Sequence, residues 1–555
     1  MPTLHEYDFL FVFGLIFAFL DAYGIGANDV ANSFATAIAS KSLTFKQAIV
    51  LGGLCEFLGA LLLGAKVTDT IRTKIIDLTL FEDNAPMLML AMVCALVGSS
   101  VWLTIATRLA MPVSTTHSIT GAIVGVGIAA GGGGAVNWTW NGLGKVFASW
   151  VVAPLIAGGF ACIIFLITKY GVLRRVDQRK AVLVAIPCWF FVTASVLTMS
   201  IIWKGAPALG LDKLPNSTIV PAILLTGFVI AILSIVYVLP YAHQQVHKKD
   251  YNLRPYHFIL GPFVMNRPSP DQELNPNNLS AKEKIDANKA IVDEEKSCEG
   301  LDAASSGSDV INPSPLNTEI EKKDKVDPSV FVGHWALPAN LWRFVRYRIP
   351  KVLLTGWNTD LHDYSTEDKD QIERLHAAAE IYGNDTEHYF TYLQVLTACT
   401  ASFAHGSNDV ANAIGPLSTI YLIWSSGSIT GSKAPVPTWI LAYGGIGIVI
   451  GLATYGYHIM RVLGNRITLV SPSRGFSMEL GAAITVVLAS QFALPVSTTQ
   501  CIVGATCFVG LMNFEKDAVS WPTIRWIFMS WLLTLPCAGL MSGILFGIII
   551  NCPRF

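Results

Sequence analysis

Charge is what this chain is short of. Of its 555 residues only 14% are Asp, Glu, Lys or Arg, against about 25% in an ordinary soluble protein. So little charge cannot clothe a large water-exposed surface, which excludes a wholly soluble fold. The formal net charge of -1 carries no information about partners, and nothing basic enough for nucleic acid is present. CxxC pairs are missing too: the 10 cysteines are scattered, most of them inside apolar runs. They read as small hydrophobes, excluding a disulfide framework or a transition-metal site. The N-terminus lacks a basic, cleavable signal pattern, so the first apolar segment is expected to stay and span.

Long apolar runs are what the chain has. Hydrophobic residues make up 52% of it and the mean hydropathy is +0.50. Runs such as "MLMLAMVCALVGSSVWLTIA" and "AILLTGFVIAILSIVYVL" reach the roughly 20 residues that cross a bilayer core of about 30 Å. The expected fold is an all-α polytopic membrane protein. Three parts follow: a membrane half over 1–240, a polar loop over 241–388 and a second membrane half over 389–555. Within the loop, "ELNPNNLSAKEKIDANKAIVDEEKSCEGLDAASSGSD" reads as disordered linker.

The loop "KYGVLRRVDQRK" carries five basic residues and is therefore expected to be cytoplasmic. Counting spans outward from it places both termini outside. The segments 112–130 and 495–512 are short and polar enough to be re-entrant hairpins in place of full spans.

Two polar stretches interrupt the apolar runs, and each occurs twice. "GIGANDVANSFATAIAS" (Gly24 to Ser40) is echoed by "HGSNDVANAIGPLS" (His405 to Ser418), and "MPVSTTHSITGAIVG" (Met111 to Gly125) by "LPVSTTQCIVGATCFVG" (Leu494 to Gly510). The copies lie about 380 and about 383 residues apart and cross in opposite directions. That is the mark of inverted-topology repeats, whose substrates bind near the midplane. In the NDVAN copies, glycine and the Asn/Asp pair are expected to break the helix and cap a fresh turn, which membranes tolerate only around a cavity. In the PVSTT copies, Pro112 and Pro495 suit helix starts. Ser114, Thr115 and Thr116, like Ser497, Thr498 and Thr499, would add hydroxyls to an anion-binding helix N-terminus.

Lys and Arg are absent from both motifs. An anion beside Asp29 and Asp409 would be repelled unless cations neutralise them, which points to cation-coupled uptake of a protonated tetrahedral oxyanion. His117 is matched by Gln500 in the second copy. A catalytic base is not optional, so an intramembrane hydrolase is a poor reading and no enzyme is expected. A phosphate-sensing receptor and a sulfate or proton-coupled carrier are the other classes.

The duplicated GANDVANSFAT and HGSNDVANAIGPL, with the paired PVSTT segments, resemble the inorganic phosphate transporter (PiT) family. "AFLDAYGIGANDVANSFA", "LCEFLGALLLGA" and "SPSRGFSMELGAAIT" look most like the fungal high-affinity, sodium-coupled permeases of the plasma membrane. The resemblance implies about twelve transmembrane helices in two inverted repeats, with outward termini and a cytoplasmic loop. It implies phosphate binding by Asp29, Asn32, Ser114, Thr115, Thr116, Asp409, Asn412, Ser497, Thr498 and Thr499. Sodium would be held by Asn28, Asp29, Asn408, Asp409 and the membrane glutamates Glu56 and Glu479. Sodium would be the only metal, and no cofactor is implied. The expected partners are phosphate, sodium and the lipid bilayer, with a homodimer left open. Arg474 is the cation expected to pair with Glu479 or to reach the anion.

Overall fold

The computed structural model describes residues 4–29, 31–203, 210–211, 214–250, 252–267, 338–343, 346, 366–429, 435–464, 466–492, 494 and 496–552. The linker stretch and Pro495 lie outside them. The described residues are helical, with a single isolated bridge between Ile76 and Val136. Two compact units divide the chain: Met1–Ile235 with Leu353–Phe555, and Val236–Val352. Of the loop drawn from composition over 241–388, the described residues 366–388 fall in the larger unit.

In the first half the helices are α1 (Asp8–Asp29), α2 (Ala31–Ala39), α3 (Phe45–Leu63), α4 (Ala65–Thr73), α5 (Ala85–Arg108), α6 (Thr115–Gly131), α7 (Lys145–Thr168), α8 (Gln178–Ile202) and α9 (Asn216–Leu233). In the smaller unit, α10 (Leu239–His247) precedes a 3-10 stretch, Pro255–Asn266, and Arg267 pairs with Asp250 at 2.9 Å. The second half holds α11 (Thr366–Ala377), α12 (Asn384–Ser426), α13 (Thr438–Tyr455), α14 (Tyr457–Leu463), α15 (Pro472–Gln491), α16 (Thr498–Leu511) and α17 (Trp521–Asn551). Local chemistry marks their ends. Thr44 and Gln47 form a capping box before α3, Ser520 caps α17, and left-handed Gly427 (φ +75°) stops α12.

Eight helices among the described residues are long and apolar enough to cross a membrane. The helices outside that set include α6 and α16, short at 17 and 14 residues, and α12 and α15, which hold buried polar residues.

One expectation is corrected. The second NDVAN motif lies inside α12, an uninterrupted helix of 43 residues, and neither Asn408 nor Asp409 caps a turn. In the first copy, Gly26, Asn28 and Asp29 belong to α1 and Asn32 to α2, with Val30 between them outside the described residues. Both motif glycines serve close approach. A Cβ on Gly26 would collide with the Ile448 carbonyl of α13, and one on Gly406 with the Glu56 carbonyl of α3.

Arg474 is a second correction. Its buried guanidinium donates to the Glu380 carbonyl at 2.6 Å and to Asn513 at 3.1 Å, away from Glu479. The Glu380 carboxylate in turn takes two bonds from Arg174, both 2.8 Å, and pairs with Lys169 at 2.9 Å. The Arg174 hydrogen bonds, against the opposing effect of burial and with help from Lys169, hold the Glu380 carboxyl down at about 2 from an ordinary 4.5. A depressed carboxyl stabilises the fold fully above the unfolded value and loses that stabilisation as pH falls toward the folded one. Melting curves of purified protein should therefore show wild type above Glu380→Gln at neutral pH, with the two converging below about pH 4.5. A gap that stays constant down to pH 3 would remove this role.

Candidate functional site

The four repeated segments meet at one buried place. Asn28, Asp29, Asn32, Thr115, Thr116, Asp409, Asn412, Thr498 and Thr499 are all buried there. Within the first half, the Thr115 hydroxyl donates to Asp29 Oδ2 at 2.5 Å; within the second, Thr498 donates to Asp409 Oδ2 at 2.8 Å. Between halves, Asn32 donates to Thr499 at 3.0 Å, and Asn412 donates to Thr116 and Thr115 at 3.2 Å each. Thr499 also reaches Asp29 Oδ1 at 2.5 Å. The Asn32–Thr499 and Asn412–Thr116 contacts join matching positions of the repeats in reciprocal fashion.

Asn28 and Asn408 do something else. Asn28 donates to the Met111 carbonyl and to Thr107, and accepts from the Val113 amide, all at 3.0 Å. Asn408 donates to the Val496 carbonyl at 3.1 Å and to Asp409 at 2.7 Å. Both amides hold the strand-like lead-in to a PVSTT helix. Ser114 and Ser497 are the N-caps of α6 and α16, their Oγ atoms accepting the amides of His117 and Gln500 at 3.3 Å. The two helix N-termini, with their partial positive charge, thus arrive beside two carboxylates.

His405 is the residue that sequence reasoning passed over. It lies one helical turn before Asp409, a spacing that puts both on one face. Its Nε2 is 2.8 Å from Asp409 Oδ2 and its Nδ1 is 2.7 Å from Glu56 Oε2. Ser402 adds a bond to Glu56 Oε1 at 2.9 Å. Ligand atoms of Asp29, His405 and Asp409 lie within 4.8 Å of one another, close enough to share one cation. Beside them is a cavity of about 20 Å³ bordered by Asn32, Ser33, His405, Thr498 and Ile502. That is room for one water-sized particle.

Glu479 belongs to a separate buried cluster. Thr36, one turn beyond Asn32 on α2, donates to it at 2.6 Å, Thr397 at 2.5 Å and Gln394 at 3.1 Å. Polar residues inside the apolar run "YLQVLTACTASFAHG" were the unused signal for that cluster. The His117 and Trp150 rings pack at a tilt of 38° with centroids 4.2 Å apart.

Paired carboxylates, donor hydroxyls and helix N-termini, buried in a bundle of apolar helices, define a membrane transport protein. The chain belongs to the phosphate transporter family, PHO4, whose profile matches residues 25–542. The family consists of transporters, not enzymes. The phosphate-repressible phosphate permease pho-4 of Neurospora crassa is 44% identical over 100% of this chain and 99% of its own. The sodium-dependent phosphate transporter 1 of Mus musculus is 31% identical over 99% of this chain and 96% of its own. A solved structure, "The sodium-dependent phosphate transporter", is similar with a TM-score of 0.64 at 27% identity, covering 98% of this chain and 100% of that one.

Proposed function

We propose that this chain imports inorganic phosphate across the plasma membrane by sodium symport. It would do so through two inverted repeats of about twelve helices and re-entrant hairpins, with both termini outside. The observation that carries the reading is the convergence of Asp29, His405 and Asp409 within 4.8 Å, from motifs about 380 residues apart. The names of the mouse relative and of the similar structure point to sodium.

In this reading Asp29 and Asp409 take sodium, with Glu56 acting on them through His405. Phosphate is held by Thr115, Thr116, Thr498 and Thr499, the amides of Asn32 and Asn412, and the first turns that Ser114 and Ser497 cap. Asn28 and Asn408 are positioning residues. The test is radiolabelled phosphate uptake in sodium against choline medium across external pH. Uptake should collapse in choline; equal uptake in both media would refute sodium coupling. A steep pH dependence without a sodium requirement would favour protons, a reading to which the His405 bridge between two carboxylates lends weight.

The caps give a smaller effect. Each of Ser114→Ala and Ser497→Ala removes an N-cap worth about 0.5–2 kcal/mol at a helix end that faces the anion. The double variant is expected to raise the apparent Michaelis constant for phosphate several-fold. An unchanged constant would confine both serines to local structure.

A further inference from the structure

Asp21 sits in α1 eight residues before Asp29, about 12 Å along the helix, and no role described above uses it. It is fully buried, and neither of its carboxylate oxygens has a hydrogen-bond partner among the described residues. A charged carboxylate in that position is costly unless a proton or a cation meets it.

One hydroxyl lies beside it and a second is bonded to the first. Ser99 of α5 lies against the carboxyl, but its hydroxyl is engaged with that of Ser118 on α6 at 3.0 Å. The Ser118 hydroxyl also reaches the Ser99 carbonyl, at 3.4 Å. A carboxylate with the Ser99 hydroxyl beside it, and the Ser118 hydroxyl bonded to that of Ser99, offers hard oxygen donors to a small cation.

The same helices lead from this place to the central site. Asn28 meets Thr107, Gly24 packs on Leu103 and Asp21 lies beside Ser99, so α1 and α5 run side by side in step. Ser118 follows Thr115, the donor to Asp29, by three residues on α6.

We propose that Asp21, Ser99 and Ser118 form a second sodium site, separate from Asp29 and Asp409 and placed on the same α1–α5–α6 seam. The proposal rests on sodium being the coupled ion. Its occupancy would add a cation to each transport cycle and help to hold the seam together while phosphate is bound.

The experiment is binding of radioactive sodium to purified full-length chain without phosphate. Wild type, Asp29→Asn, Asp21→Asn and the Ser99→Ala, Ser118→Ala double variant are compared. Asp21→Asn should bind about one sodium fewer than wild type by the linkage of a removed site. It should also lower the Hill coefficient of sodium-driven uptake. Asp29→Asn should keep the sodium that Asp21→Asn loses. The double serine variant should bind sodium at this site at least tenfold more weakly, which keeps the test sharp if Asp21→Asn folds poorly. Unaltered sodium stoichiometry in Asp21→Asn, with Asp29→Asn reduced, would show a neutral buried acid and overturn this proposal alone. No sodium bound by wild type would overturn the symport reading as well.

Discussion

Asn in place of Asp29 or of Asp409 is expected to cut phosphate uptake at least a hundredfold while leaving the chain in the membrane. The amide keeps the size and one acceptor oxygen; at position 409 Thr498 can keep its acceptor, while at position 29 only one of Thr115 and Thr499 can, because they donate to different oxygens. What disappears is the charge that a cation would meet. Hydrogen bonds to a charged group are worth about 1.5–3 kcal/mol each, and Asp29 accepts three, from Thr115, Thr499 and Asn32. Weakening two of them gives about 3 kcal/mol or more, and each 1.4 kcal/mol is tenfold. At Asp409 the change also leaves His405 with Glu56 as its only carboxylate partner. Surface expression measured beside uptake separates transport from folding, and Asp177→Asn, an exposed change, serves as control. Normal sodium-dependent uptake in either variant would remove that carboxylate from the central role.

The second large effect is reciprocal tightening of sodium and phosphate. In the structure the Thr115 and Thr499 hydroxyls, natural anion donors, are spent on Asp29. A cation on that carboxylate takes over its charge and frees the hydroxyls to turn toward a phosphate oxygen. Coupling of this kind is typically about 1–3 kcal/mol, or roughly 5–150-fold in affinity, and linkage makes it equal in both directions. Phosphate binding to purified protein, titrated with sodium against choline at fixed pH and ionic strength, should show that factor. Sodium binding should tighten by the same factor when phosphate is added. Identical phosphate affinity in the two salts would end the argument.

The sequence made the membrane class, the two repeated motifs and the carboxylate pair legible, because composition and repetition survive without tertiary context. It misjudged what Gly406, Asn408 and Asp409 do to a helix. Intrinsic propensities are small beside packing, and α3 and α12 approach so closely at Gly59 and Gly406 that a continuous helix is held in place. Arg474 and Glu479 are five residues apart in one helix, yet they face different partners, Glu380 and Asn513 for the one, Thr36 and Thr397 for the other. Sequence spacing alone cannot assign such long-range choices. His405 was within reach, since its four-residue spacing from Asp409 is a helical neighbour relation. Asp21 was equally visible, but only its full burial without a hydrogen-bond partner among the described residues sets it apart from an ordinary buried acid.

The Asn28 side chain behaves as a spare peptide group. It offers one carbonyl to the Val113 amide and one amide to the Met111 carbonyl, as a neighbouring strand would. The entry to α6 is thereby stitched to α1 by a graft of backbone-like bonds, and Asn408 makes half of the same stitch at Val496. In this structure α1 and the entry to α6 are thereby coupled through two backbone-like bonds, and α12 and the entry to α16 through one, so a movement of either motif would be expected to carry its partner loop with it.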